Sequence, residues 1–169
     1  MIHIVTATTD DFPSIQSIAH RTWPETFGAI LSSGQIEYML EWMYSIDSLK
    51  EQVEVKRHVF IIARDKFGDH GFAAYELFYN NLPRTKIHKI YILPSSQGKG
   101  IGRMLLNAIE EIAISHGNKT LFLNVNRNNP AVGIYKKLGY KIVKEEDIDI
   151  GNGFFMNDYV MKKGIICFK

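Results

Sequence analysis

The 169-residue chain predicts a single domain of the α/β (α+β) class, residues 1–169, built around a mixed β-sheet. Three observations carry this expectation. The length matches one domain of about 100–200 residues. Periodicities alternate between strand-like and helix-like in the rough order βααα-βββ-α-β-α-ββ. No repeat, linker or low-complexity stretch divides the chain.

Each element has a local reason. Ile2, Ile4 and Val5–Ala7 alternate with polar residues as a short strand does. Asp10 and Asp11 stand where an N-cap is wanted, Pro13 follows one or two positions inside, and Ile15, Ile18 and Ala19 recur at helical spacing. Pro24 and Gly28 interrupt that period, so Thr22–Gly28 reads as irregular. Ser32 or Ser33 caps a second helix to about Tyr44, with Ile36, Met39, Leu40 and Met43 on one face. Asp47 opens a third run, Ser48 to Val55.

The period then changes. Val59–Ala63 is an apolar run of strand length, Lys66–Asp69 a hairpin turn, and Phe72–Phe78 a second β-rich run. Asn80–Pro83 breaks the chain, and Thr85–Leu93 reads as a strand ended by Pro94. In Gly100–Ser115, Ile101, Met104, Leu105, Ala108, Ile109 and Ile112 line one helical face, and Gly117 closes the helix. Thr120–Val125 is a strand, Pro130–Leu138 a helix followed by Gly139, and Tyr140–Val143 and Phe154–Met161 two last strands.

Composition excludes several classes. Hydrophobic residues at 46% and charged residues at 22% argue against disorder. A net charge of +2 is too balanced for a nucleic-acid grip, and no nucleic-acid partner is expected. The single cysteine, Cys167, excludes an internal disulfide, a CxxC pair and a multi-cysteine zinc site, and no metal is expected. No apolar run approaches ~18 residues, so no membrane partner is expected. Met1–Asp11 has no signal-peptide character, and a cytoplasmic location is the expectation.

The most informative segment is Leu93-Pro94-Ser95-Ser96-Gln97-Gly98-Lys99-Gly100-Ile101-Gly102-Arg103. A strand ends, glycines follow and a helix begins, which exposes backbone N–H groups where the helix dipole favours negative charge. Glycines allow close approach to phosphates, and Lys99 and Arg103 add charge. The spacing is neither GxxxxGK[ST] nor GxGxxG. A glycine turn alone binds nothing in many proteins, so a second motif has to decide.

That motif is Asn128-x-x-Ala131-x-x-x-Tyr135-x-Lys137-x-Gly139-Tyr140, about twenty-five residues downstream. Together with Gln97-x-x-Gly100-x-Gly102 it resembles the two signatures of the GCN5-related N-acetyltransferase (GNAT) family, over roughly Thr85–Tyr140. The resemblance implies a splayed central sheet in which the pantetheine arm of acetyl-CoA lies between Thr85–Leu93 and Thr120–Val125. It implies that the backbone of Ile90, Tyr91 and Ile92 hydrogen-bonds that arm as an added strand would, with one amide polarising the thioester carbonyl. Gln97, Gly98, Lys99, Gly100, Ile101, Gly102 and Arg103 would hold the pyrophosphate. Asn128 matches a residue that hydrogen-bonds the cofactor arm. Lys137 lies near the adenosine-phosphate end in some relatives, and is equally well read as a solvated helix charge.

Acetyl transfer to an amine needs two proton handlers, because an amine of pKa near 10.4 is mostly ammonium at neutral pH. Tyr135 matches the family's usual acid for the departing thiolate. His88 is a candidate base, in a position where polyamine acetyltransferases of the family carry glutamate; Glu76 and a water chain are its rivals. Cys167 is far in sequence from both motifs, so direct transfer without an acyl-enzyme is expected.

The acceptor implied is a small amine, with a polyamine first, because Gly151–Met161 is similar to endings of PaiA-like diamine acetyltransferases. Trp23, Glu25, Phe27, Tyr38, Trp42 and Tyr44 offer aromatic faces and an acid suited to a cation, or else fill the core. A protein N-terminal amine and a non-catalytic CoA-sensing role are the alternatives. Glu145 and Glu146 read as a solvated charge run. Homodimers are common in the family, with the face of Phe154–Met161 as a candidate interface.

Overall fold

The computed structural model describes residues 1–165, so Cys167 lies outside the described residues. Seven strands form one mixed sheet: β1 (His3–Thr6), β2 (Val59–Asp65), β3 (Gly68–Glu76), β4 (Arg84–Ile92), β5 (Thr120–Asn126), β6 (Lys141–Gly151) and β7 (Phe154–Gly164). Their order in the sheet is β1-β2-β3-β4-β5-β7-β6. The helices are α1 (Phe12–Phe27), α2 (Ser33–Tyr44), α3 (Ile46–Glu54), α4 (Ile101–Ser115) and α5 (Ala131–Lys137). The expected α/β class with a mixed sheet is therefore met.

The β4–β5 pairing is parallel and short. It runs from Arg84↔Thr120 to Ile87↔Leu123, four residue pairs, although β4 continues to Ile92 and β5 to Asn126. The described chain groups into two compact units, Met1–Glu76 with His88–Glu111, and Leu77–Ile87 with the chain from Ile112 on. The boundary within β4 falls between Ile87 and His88.

In the first unit, α1 departs from expectation. It runs through Pro24 to Phe27. A proline inside a helix costs about 3 kcal/mol, but Trp23 and Phe27 are both buried, with rings 4.6 Å apart. Burying two such side chains contributes roughly 1.5–3 kcal/mol each, enough to carry the helix past the proline. Asp11 is no conventional cap either: its carboxylate accepts from Thr8 N–H at 2.8 Å and from Arg64 at 2.6 Å. Ser32 caps α2 as expected, its hydroxyl accepting from Gln35 N–H at 3.1 Å. The third helix begins earlier than expected because Ser45, not Asp47, is its cap, accepting from Ser48 N–H at 3.2 Å. Trp23, Tyr44, Phe72 and Tyr91 meet as an aromatic cluster beside the β2–β3 hairpin, with centroid distances of 5.6–6.0 Å.

In the second unit, Leu121, Leu123 and Val125 alternate inward along β5, and Tyr135, Tyr140, Ile150 and Met161 are buried with them. Buried Asn118 ties this unit's turns together: its Oδ1 accepts from Phe78 N–H at 3.1 Å and from the Thr85 hydroxyl at 2.8 Å. The last two strands are longer than expected. β6 runs through the charged segment Lys144–Asp149 and joins β7 by a two-residue turn, Asn152–Gly153, both at positive φ. A strand so charged is tolerated because β6 is an edge of the sheet.

Candidate functional site

The glycine segment is built as the sequence predicts. After β4, a single 3₁₀ turn covers Pro94–Ser96, and α4 begins at Ile101. Gly98 and Gly100 have φ of 79° and 77°, a left-handed backbone that side chains disfavour. Nothing lies within 4 Å of where their Cβ atoms would be. Gly98, Lys99 and Gly100 are exposed, at the N-terminus of a fifteen-residue helix. Open space, positive-φ glycines and a helix start together fit an anionic phosphate group. Arg103 is exposed one turn into α4, Ile101 is buried, and Gly102 faces Ile92.

Gln97, ahead of the glycines, makes a contact within the chain. Its side-chain amide donates to the carbonyl of Ile92 at 3.2 Å, so it braces the loop against the end of β4. The loop's root is held by His70 on β3. The His70 carbonyl accepts from Leu93 N–H at 2.8 Å, and its ring Nδ1 lies 2.8 Å from the Ser96 hydroxyl. His70 Nε2 lies 2.8 Å from Asp65, and this contact holds the Asp65 carboxyl below the usual carboxylate range. Sequence reading missed His70, since its partners are 23 residues or more away or lie across a hairpin.

Ile90, Tyr91 and Ile92 lie on β4 beyond the β5 ladder. The Tyr91 ring joins the Trp23–Phe72 cluster, and Gly71 on β3 approaches Tyr91 and Ile92 so closely that a Cβ there would sit 2.8 Å from the Tyr91 carbonyl oxygen. His88 begins this segment. Its Nε2 lies 3.0 Å from Glu76 Oε1, both side chains being largely buried. The two candidate bases of the sequence are thus one hydrogen-bonded pair. A third group, His58, stacks on His88 with ring centroids 3.8 Å apart and 20° between planes; sequence reading missed it.

In the second unit, Tyr135 is buried on α5, its ring edge-on to Tyr140 at 5.7 Å. Burial pushes its phenol up to about 12. In the turn before α5, Asn129 Oδ1 accepts from Ala131 N–H at 2.9 Å and Asn126 Oδ1 accepts from Asn128 N–H at 2.9 Å; Asn128 itself is exposed. Lys137 is exposed in the last turn of α5. Arg127 is paired with Glu145 at 3.2 Å and with Asp147, so its charge is met within the protein. Glu145 is solvated as expected, but Glu146 is not simply so. Asn124 donates to Glu146 at 3.0 Å and to buried Asp158 at 3.3 Å. Desolvation raises Asp158, whereas the bond from Asn124 holds Glu146 low.

The aromatics flagged near the first helices divide. Trp23, Phe27 and Tyr44 are core, while Trp42 is half exposed and stacks on Tyr38 at 6.3 Å; Glu25 is exposed. Among the described residues no helix is long and apolar enough to cross a membrane.

The likeness to known proteins matches this geometry. Residues 14–140 fit the Acetyltransferase (GNAT) family. The spermidine N(1)-acetyltransferase of Thermoplasma acidophilum is 29% identical over 153 residues, covering 87% of this chain and 90% of its own length. An uncharacterized N-acetyltransferase, YuaI of Bacillus subtilis, is 24% identical over 152 residues, covering 89% of this chain and 86% of its own. Among solved structures, the PaiA N-acetyltransferase of Thermoplasma acidophilum in complex with coenzyme A superimposes with a TM-score of 0.82 at 24% identity, over 97% of this chain and 99% of that one. With both family signatures folded as described and the family's pattern covering most of its length, the chain belongs to the acetyltransferase (GNAT) family and is an N-acetyltransferase whose co-substrate is acetyl-CoA.

Proposed function

We propose that this enzyme acetylates a primary amine of a small cationic polyamine, with His88 as base and Tyr135 as hydrogen-bond donor to the departing sulfur. The observation that carries this reading is the 3.0 Å contact between His88 Nε2 and Glu76 Oε1. An ammonium group must lose a proton before it attacks, and an imidazole backed by a carboxylate is suited to take it. When bound, acetyl-CoA supplies an activated acetyl thioester. Gly98–Arg103 present the α4 N-terminus and two flanking cations to its phosphates, and Ile90–Ile92 offer backbone amides and carbonyls to its arm. Asn128 and Lys137 are exposed for the same ligand.

Tyr135 acts as a donor rather than as a full proton source. A phenol pushed up to about 12 is a weaker acid than an ordinary thiol of pKa near 8.5. Its O–H steadies a developing thiolate, and the thiol's proton then comes from the amine that has just been acetylated. Direct transfer without an acyl-enzyme is the route. The polyamine is supported by the likeness to the spermidine N(1)-acetyltransferase of Thermoplasma and by half-exposed Trp42, stacked on Tyr38, whose aromatic face suits an alkylammonium chain.

The test is release of free thiol from acetyl-CoA with spermidine, spermine, short diamines, aminoglycosides and an alanine-terminated peptide. A kcat/KM for one of the polyamines at least about tenfold above the peptide's is expected. Turnover of the peptide alone would replace the polyamine by a protein terminus. His88→Ala with undiminished kcat would remove His88 as the base.

A further inference from the structure

We propose that His58 is a positioning residue for His88, its imidazole face holding the His88 ring in the one orientation from which that ring takes the acceptor's proton. The inference rests on the reading of His88 as base given above. His58 lies just before β2, Glu76 ends β3 and His88 sits in β4, so strand pairing brings together residues far apart in sequence. His58 is nearly fully buried, and its backbone N–H donates to the Gln52 carbonyl of α3 at 2.9 Å, which makes it a fixed surface. Against that surface lies the His88 ring, 3.8 Å away and 20° from parallel.

Glu76 Oε1 faces both rings, 3.0 Å from His88 Nε2 and 3.7 Å from His58 Nε2. A carboxylate only accepts, so the His88 nitrogen facing it carries hydrogen, and in the neutral ring Nδ1 carries the lone pair. Rotation of an imidazole about its bond to the backbone turns its lone pair away. A second ring stacked on its face prevents this. In the step itself an N–H bond of the ammonium breaks and one forms on His88; the Glu76 carboxylate faces the imidazolium produced, and that proton later leaves to water. The ligand-type atoms of the three residues lie within 4.8 Å of one another, but the 3.0 Å contact between His88 Nε2 and Glu76 Oε1 is a hydrogen-bond length, which suits a shared proton. The trio is arranged for a proton.

The experiment compares His58→Ala, which removes the face, with His58→Phe, which keeps a flat ring without nitrogens. His58→Ala is expected to lower kcat roughly tenfold while leaving the KM for acetyl-CoA within about twofold. His58→Phe is expected to recover kcat to within about threefold of the unmodified enzyme. Unchanged kcat in His58→Ala, no recovery in His58→Phe, or a KM rising in step with the loss would overturn the inference. So would binding of one equivalent of Zn²⁺ that His58→Ala abolishes. Should the alanine variant not fold, nitrogen-resolved NMR of histidine-labelled unmodified protein decides: His88 in a single Nε2–H tautomer with upfield-shifted ring protons supports the stack, and mixed tautomers overturn it. If His88→Ala lowers kcat but His58→Ala does not, the positioning role falls and the base remains.

Discussion

The side-chain amide of Gln97 and the carbonyl of Ile92 meet at 3.2 Å, joining the glycine loop to the last residue of β4. The bond is exposed, so its net worth is about 0.5–1.5 kcal/mol. Its effect should fall on the loop more than on the fold. Gln97→Ala is expected to weaken coenzyme A binding by roughly three- to tenfold, with a melting temperature within about 2 °C of the parent. Calorimetric titration with coenzyme A measures the first and thermal unfolding the second. An unchanged Kd would mean that the loop holds its shape without the brace.

Gly71 makes the complementary case from the other side of the same strand. A methyl group there would lie 2.8 Å from the Tyr91 carbonyl oxygen and 2.7 Å from Ile92 Cδ1. The side chain can turn aside; the carbonyl cannot without moving β4. Gly71→Ala is expected to cost about 1–3 kcal/mol, lowering the melting temperature by roughly 3–10 °C. Because Tyr91 and Ile92 belong to the proposed pantetheine-binding edge, the KM for acetyl-CoA should rise as well. A variant with the parent's stability and KM would contradict this packing.

Tyr135 links burial to alkaline stability. Its phenol sits near 10 in an unfolded chain and is pushed up to about 12 in the fold by desolvation. Between those values the unfolded chain has lost a proton that the folded one keeps, so stability falls as pH rises. The contribution is whole below pH ~10 and amounts to a loss of about 1.4 kcal/mol by pH ~11. Tyr44 and Tyr75 are raised by burial too and act in the same direction, so the comparison has to be made between the parent and Tyr135→Phe. Urea unfolding of both at pH 9, 10 and 11 should show the parent losing more. Parallel curves would place the phenol in contact with water. The same variant should lower kcat about 10- to 100-fold if the hydroxyl serves the departing sulfur.

What the sequence revealed and what it hid follow from how local each signal is. Gly98, Gly100, Gly117 and Gly139 could be read because a positive φ has few alternatives to glycine. The α4 stripe could be read because Ile101, Leu105 and Ile109 are buried along a single face. Pro24 misled because its cost is local whereas the compensation, buried Trp23 and Phe27, is tertiary. β6 was cut short because its charges mark an edge position that only the sheet order defines; the Asn152–Gly153 turn was the signal that could have extended it. In the site, Gln97 carried the family pattern but its bond to Ile92 is not written in any motif. His58 was invisible because nothing in the spacing of 58, 76 and 88 announces a shared carboxylate before the strands pair.

Asn118 offers the sharpest test of how the second unit is held. Its Oδ1 serves two donors, Phe78 N–H at 3.1 Å and Thr85 Oγ1 at 2.8 Å, and both Asn118 and Thr85 are buried. Phe78 is itself a non-glycine residue at φ 52°, a conformation that needs an external tie. Asn118→Ala takes the acceptor from both donors: the buried Thr85 hydroxyl is stranded at about 1–3 kcal/mol, and the N–H of Phe78, an exposed residue, loses a bond worth about 0.5–1.5 kcal/mol. A total of roughly 2–4 kcal/mol would lower the melting temperature by about 5–15 °C. The origin of the loss can be separated from simple cavity formation. Adding Thr85→Val deletes one stranded hydroxyl, so the double variant should be more stable than the sum of the two single losses implies, by about 1 kcal/mol. Strict additivity in that cycle would show that the Thr85 hydroxyl finds another acceptor and that Asn118 acts on Phe78 alone.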